Sequence, residues 1–524
     1  MSKRVTRRGF LKATAATTLG TGAGILLFKD EAERYLTGAL ANSVDFFTPE
    51  NRLPPERNFY PLVPDQKTII GPGDLPVYTG SAADTLPLIR RYPQLAYAKN
   101  NPAKVQIINI YHQDFPALSA RLRHRAVMHN SVFPFVDNSE RFILPWAPLF
   151  AKMSPVQKLS HKLFKSLKGH VLYVKDEGSD SIALFGNKAR KYEFGFPFCL
   201  QTRARSLVLF GSLASNHCLY TSLTAACSNL GPRFNLPDPQ VLVNLYPQRI
   251  HSQIIQKLQY LLALGARIRF LDNDREVAGS ILANQAREHF SPDDDLAYFE
   301  PGGSNPLTTL SHVNAVFELN EQIKNKTSPL QAPPDYIFVP LGSGGTCMGL
   351  VLGCYLLGWE TKVVGTTSQD KAIWKRALVF GNPAKPFLVQ HAARLLKKTL
   401  DLLAFLDLPS PVFLNNDPWE ILKKHFRYDN TAWLPAYGIP SAKTKALITL
   451  FAAESRLVLD PTFSGKSFTT LLDYVVSGQL AQKKVLFWNT DQRFDYMSCP
   501  KVRDADLALL PDNLQHYLSS RITG

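Results

Sequence analysis

From Gly169 onward, short β-branched runs alternate with longer amphipathic stretches, and no other feature constrains the fold of this chain as tightly. The runs are Val171 to Val174, Leu207 to Phe210, Val241 to Leu245, Ile268 to Leu271, Tyr336 to Val339, Lys362 to Gly365 and Val485 to Trp488. Runs this short and apolar suit buried strands, and the stretches between them suit covering helices. The alternation therefore predicts an α/β architecture with mostly parallel sheets. One stretch shows the helical period directly: Leu310, Val313 and Phe317 follow Gly302-Gly303-Ser304-Asn305, a segment suited to a tight turn and an N-cap. Between Gln369 and about Tyr428, helical and proline-containing sequence breaks the rhythm and reads as an insertion. Ahead of the alternation, Asn42 to about Lys168 is rich in Pro and aromatics, with turn signals at Leu53-Pro54-Pro55 and Gly71-Pro72-Gly73, and carries no catalytic motif.

With 524 residues, 45% hydrophobic and 19% charged, the chain exceeds one average domain and can bury a large core, which excludes disorder throughout. The net charge of +16 raises the question of a polyanionic partner, but Lys3, Arg4, Arg7, Arg8 and Lys12 concentrate part of it at the start. No basic stripe interleaved with aromatics follows, so nucleic acid is not expected as a partner. The basic start leads into an apolar, small-residue run from Ala13 to Phe28, too short for the roughly 20 apolar residues of a spanning helix. Thr6-Arg7-Arg8-Gly9-Phe10-Leu11-Lys12 resembles the twin-arginine export signal, which implies the twin-arginine translocation machinery as a partner and a periplasmic destination. Ala39-Leu40-Ala41 has the small-x-small pattern of a cleavage site, yet Lys29 to Arg34 separates it from the apolar run, so an uncleaved, membrane-tethering anchor stays open. Cys199, Cys218, Cys227, Cys347, Cys354 and Cys499 are sparse and mostly in apolar surroundings, which points to buried thiols rather than a disulfide framework.

Three motifs carry chemistry. Gly342-Ser343-Gly344-Gly345-Thr346 follows the apolar run Tyr336 to Leu341 and precedes the helix-compatible Met348 to Leu357. Strand, glycine turn and helix start can form an anion site, because exposed N–H groups and the helix dipole both face a phosphate; a plain tight turn is the other reading. Its glycine spacing is neither a dinucleotide fingerprint nor a Walker loop, and Ser464-Gly465-Lys466-Ser467 lacks the earlier glycine that a P-loop requires. In Phe185-Gly186-Asn187-Lys188-Ala189-Arg190-Lys191, three basic residues in four places read as a solvated face on charge alone. After the strand Leu207 to Phe210, Ser215-Asn216-His217 opens a helix, where a cap is the commonest role of Ser and Asn.

In this order the motifs resemble the fold-type II pyridoxal-phosphate enzymes, and within them the group of aminocyclopropane-carboxylate deaminase and D-cysteine desulfhydrase. Pro301-Gly302-Gly303-Ser304-Asn305-Pro306, Tyr437-Gly438-Ile439-Pro440, Asp460-Pro461-Thr462-Phe463-Ser464-Gly465-Lys466 and Asn489-Thr490 extend the series over roughly Leu172 to Thr490. The resemblance implies a tryptophan synthase beta-like, two-domain α/β fold of open, twisted, mostly parallel sheets with helices on both faces. It divides the chain into a signal or anchor (1–41), an extension packing on the catalytic body (42–168), a large cofactor domain (169–205 and 317–524, with the insertion at about 369–428) and a small domain (206–316).

For the site, the resemblance implies pyridoxal 5'-phosphate held as a Schiff base by Lys188, its phosphate on the backbone of Gly342, Ser343, Gly344, Gly345 and Thr346, and its hydroxyl against Asn216. Thr490 is implied as the partner of the ring nitrogen, Ser215 as facing the substrate, and Tyr437 as orienting it or moving a proton. The implied reaction is α,β-elimination from a small amino-acid substrate, and the implied assembly a homodimer. Phe185 stands where the family usually has a second Gly, Asp491-Gln492 replaces the usual Gly-Gly, and Phe463 sits where the desulfhydrases usually have Tyr.

Overall fold

The computed structural model describes residues 153–522 apart from 160–170, 179–185, 202–205, 229–239, 281–295, 368–386, 406–416, 432–436, 492–504 and a few single positions, together with the short antiparallel pair β1 (Thr68–Ile69) and β2 (Val77–Tyr78). The twin-arginine motif and the small-residue cleavage pattern lie outside the described residues.

All seven expected runs are strands: β4 (Leu172–Asp176), β5 (Ser206–Ser212), β6 (Gln240–Tyr246), β7 (Arg267–Phe270), β9 (Tyr336–Leu341), β10 (Lys362–Thr367) and β12 (Val485–Asn489). Three more were not read from sequence: β3 (Val156–Leu159), β8 (Leu296–Phe299) and β11 (Phe426–Asp429). All three are four residues long and lie at sheet edges. In β3 and β11 charged or polar residues, which suit an edge, hide the apolar pattern that marks a central strand; β8, Leu-Ala-Tyr-Phe, is apolar and is merely short.

Apart from the β1–β2 pair, the described strands form two sheets. One has the order β11-β10-β9-β12-β4-β3, parallel except where β3 meets β4; the other, β7-β6-β5-β8, is parallel throughout. The intervening helices are α1 (Lys188–Gln201), α2 (Asn216–Ser228), α3 (Ser252–Ala263), α4 (Pro306–Lys324), α5 (Gly345–Leu356), α6 (Phe387–Phe405), α7 (Pro418–His425), α8 (Ala442–Ser455), α9 (Ser464–Val476) and α10 (Asp512–Ile522). Alternate strand residues face opposite layers. Ile337, Val339, Leu341, Leu486 and Trp488 pack with apolar residues of α4, α5, α6 and α7, whereas Phe338, Val485 and Phe487 pack with Phe451, Phe468, Leu471 and Leu472 of α8 and α9. Burial on both faces is why these strands read as continuous apolar runs.

The stretch from 369 to 428 supplies α6 and α7, which pack into the first of these layers, and most of β11, which pairs in parallel with β10. Asn305 caps α4 as its sequence suggested: its side chain accepts the Thr308 N–H at 2.8 Å, while Thr308 Oγ1 accepts the Asn305 N–H at 3.0 Å. Cys218, Cys347 and Cys354 are buried free thiols. Among the described residues no helix is long and apolar enough to cross a membrane.

Candidate active site

The chemistry-bearing motifs gather beyond the carboxyl ends of the parallel strands, where open α/β sheets place their ligands. Lys188 is the first residue of α1, reached by a turn in which Gly186 takes φ of 49°. A Cβ on Gly186 would stand 2.6 Å from the Asp491 carbonyl oxygen and 3.0 Å from that of Thr490, so the turn is pressed against the backbone that leaves β12. Asn187 ties the same turn to the glycine loop by donating to Thr346 Oγ1 at 2.9 Å.

That loop, Gly342 to Gly344, links β9 to α5. Gly344, at φ of 92°, is the N-cap and provides no side-chain acceptor to the helix. Its neighbours are cationic and hydroxylic. Lys191 Nζ donates to Ser304 Oγ at 2.7 Å and to the Gly302 carbonyl at 2.9 Å, and Ser304 Oγ lies 2.6 Å from Ser343 Oγ. A Cβ on Gly345 would meet Ser304 Oγ at 2.6 Å and Lys191 Nζ at 3.2 Å. A helix start, small residues and a buried ammonium in one place make a cradle for a phosphate. The anion reading of the glycine motif is thus the one its surroundings support, with Lys191 as a component that was read from sequence only as part of a charged patch. The available signal was its spacing, since residues three apart on a helix share a face.

Lys188 makes no hydrogen bond or ion pair that the described residues reveal, and burial pulls its ammonium down to about 8 against partial opposition from Asp460. Asp460 is fixed at the start of α9: its carboxylate accepts the N–H groups of Thr462, Phe463 and Ser464 at 2.7–2.8 Å and the Ser464 hydroxyl at 2.7 Å. His217 is buried, and burial followed by the charges of Lys188 and Lys191 holds its imidazole well below its ordinary range, so it is neutral. Its Nδ1 faces the Tyr192 hydroxyl, while its Nε2 has no hydrogen-bond partner among the described residues. A buried ring nitrogen left without a partner, beside a free lysine and an anion cradle, fits a bound polar group.

Asn216 and Ser215 lie at the start of α2. Asn216 Oδ1 accepts from Lys257 Nζ at 2.6 Å, and Ser215 Oγ accepts the Cys218 N–H at 3.3 Å. Tyr437 stacks edge-on against Phe463, with ring centroids 5.6 Å apart; burial pushes its phenol up, countered in part by a hydrogen bond with Ser212. Thr490 sits against the Gly186 turn. The expected site residues therefore gather around Lys188 and Asp460, joined by Lys191, His217 and Lys257. Lys257 left no signal in the sequence, being one polar position on an amphipathic helix whose Ile254, Leu258 and Leu261 are core.

Beneath α1 lies a second polar cluster. Lys175, Glu177, Arg190 and Glu318 are fully buried. Glu318 pairs with Lys175 at 2.7 Å and Arg190 at 3.0 Å, Arg190 with Glu177 at 2.6 Å, and the Ser154 hydroxyl donates to both carboxylates. It clamps the helix that starts with Lys188 onto β4, α4 and the segment before β3.

An α/β fold with a half-buried lysine that has no partner among the described residues, next to a turn tied to a phosphate cradle at its strand ends, defines an enzyme built around an amine-reactive, phosphorylated cofactor. The chain belongs to the family described as "Pyridoxal-phosphate dependent enzyme", whose profile matches residues 150–491, and its cofactor is pyridoxal 5'-phosphate. It is 27% identical to the D-cysteine desulfhydrase of Serratia proteamaculans over 336 residues, 63% of this chain and 88% of that protein. It is equally 27% identical to the 1-aminocyclopropane-1-carboxylate deaminase of Bradyrhizobium diazoefficiens over 348 residues, 65% of this chain and 92% of that one. A solved structure described as an ACC deaminase homologue covers 70% of this chain and 97% of its own, with a TM-score of 0.51 and 23% identity, a likeness of fold. The family match begins ahead of the first sequence motif and takes in Ser154 of the buried cluster.

Proposed function

We propose that this chain is a lyase that removes the Cα proton of a small amino acid and eliminates its β-substituent, as a D-cysteine desulfhydrase does, releasing ammonia and a 2-oxo acid, with sulfide where the substrate is a cysteine. The observation that carries it is Lys188: half-buried, without a fixed partner, held to about 8 by burial, and placed beside the cradle. Pyridoxal phosphate, when bound, supplies the sink for the electron pair left on Cα. Lys188 Nζ, freed once the substrate amine takes its place, accepts the Cα proton, and a lysine brought near neutrality suits a general base. Lys191 and the backbone of Gly342 to Thr346 hold the phosphate, and Asn216 meets the cofactor hydroxyl. Thr490 borders the ring nitrogen, Ser215 faces the substrate and Tyr437 orients it. The twin-arginine motif supports export to the periplasm by the translocation machinery, since a chain that folds around a cytosolic cofactor must cross the membrane folded; the family resemblance supports a homodimer.

The test is spectral and chemical. Purified holoenzyme should show a visible-edge absorbance band that borohydride abolishes and that Lys188→Ala lacks, and turnover in that variant should fall by about 10²–10⁴-fold. Pyruvate and sulfide from D- or L-cysteine should appear together. A band or full activity surviving in Lys188→Ala refutes the role of Lys188, and no 2-oxo acid from cysteine or aminocyclopropane carboxylate refutes the reaction.

A further inference from the structure

A third lysine stands in the site, and the reaction as described gives it no task. Lys257, on α3 of the four-stranded half, is buried, and its Nζ donates to Asn216 Oδ1 at 2.6 Å and to the Ala214 carbonyl at 3.0 Å. The two acceptors flank Ser215, so a single ammonium grips the loop on both sides of it. The contact also settles the orientation of an amide. With its oxygen on an ammonium, which can only donate, Asn216 has one polar group left to turn elsewhere, its Nδ2, and that group can only donate. The reverse orientation would set an NH₂ against an ammonium and leave two donors facing each other.

We infer that Lys257 is a positioning residue that locks Asn216 with its N–H₂ toward the cofactor's ring oxygen, favouring the oxyanion form of that oxygen. The inference rests on the placement of Asn216 against the cofactor hydroxyl. Asp460, at the start of α9, and Asp491, after β12, both act on Lys257 as opposite charges, and His251, at the N-cap of α3, feels its positive charge. Lys257 therefore feels the same Asp460 that acts on Lys188, and also the Asp491 that replaces the family's usual glycine. A locked donor with a cation behind it would stabilise the ring oxyanion without the proton it shares with the nitrogen of the lysine–cofactor linkage, and so ease loss of that shared proton to solvent.

The test is a double-mutant cycle on cofactor binding, with Asn216→Ala, Lys257→Met and the double variant. Removing a buried charge for a side chain of similar length keeps the packing, and far-UV dichroism of each variant checks the fold. The dissociation constant for pyridoxal phosphate should rise about tenfold in either single variant, and the double variant should be no weaker than Asn216→Ala within about twofold, because Lys257 acts through Asn216. In loaded Lys257→Met, the pH at which the visible band gives way to the near-ultraviolet one should move up by about one pH unit, a change that loss of mere scaffolding would not produce. Additive losses in the double variant, or an unmoved band in Lys257→Met alongside a moved one in Asn216→Ala, overturn the inference alone. An inert Asn216→Ala overturns the placement of Asn216 and the inference with it.

Discussion

Two polar regions sit on opposite sides of α1, and both bury lysines. Below the helix, Lys175 meets a carboxylate and two further oxygen acceptors, from Ser154 and Gln322, each at 2.7 Å, so its three protons are all placed. Above it, Lys188 is half-buried, and among the described residues only the charge of Asp460 opposes its desolvation. Burial drives both ammonium groups down to about 8, so burial alone does not distinguish a structural lysine from a reactive one. The difference is in the partners. A lysine whose donors are all engaged holds a helix in place, and one left open is available to react.

The largest effect should come from breaking the closed region. Glu318→Ala leaves Lys175 and Arg190 buried with a shared carboxylate removed, and should cost about 3–5 kcal/mol in denaturant unfolding of the cofactor-free chain. A loss under one kcal/mol would mean that the cluster is not the clamp it resembles.

The open region should respond in the other sense. The folded-state value of Lys188 lies below its ordinary 10.5, so below about 8 the fold bears the full cost of a buried ammonium. Between about 8 and 10.5 the native lysine has lost its proton while the unfolded one keeps it, so stability contributed by this group rises with pH, by at most about 1.4 kcal/mol per pH unit. Lys188→Met should remove this group's share of that rise, leaving the shares of Lys175 and Lys257, without lowering stability at pH 7. If the variant is less stable at pH 7, Lys188 has a partner that holds it.

The smallest effect belongs at the surface. Lys443 and Asp473 form an ion pair with both side chains more than half exposed, and Lys443→Ala should change stability by no more than about 0.5 kcal/mol. A larger change would break the rule that desolvation, rather than charge pairing, separates these regions.

The sheets were legible because their central strands are buried on both faces, and such strands are apolar along their whole length. Three of the four edge strands were not, being only four residues long; β7, the fourth, was read from the apolar Ile268 to Leu271 although it too lies at an edge. The glycine loop was legible as an anion site or a plain tight turn because backbone shape is local, while Lys188 stood out only through the ordered series of motifs that carries the family resemblance. Lys191 was visible as a charge but not as a phosphate partner, because its role depends on Ser304, more than a hundred residues away.

The sequence by itself determined the α/β class and the order of the motifs, since both follow from local pattern; Lys188 was singled out by the family resemblance those motifs carry, its charge alone reading as a solvated face. Which buried lysines are held and which are free was decided only in three dimensions. Glu318 reaches Lys175 from α4, and Lys257 reaches Asn216 from α3. Neither contact leaves a trace in spacing, because an ammonium's state depends on the oxygens that surround it in space, and here those oxygens come from distant parts of the chain.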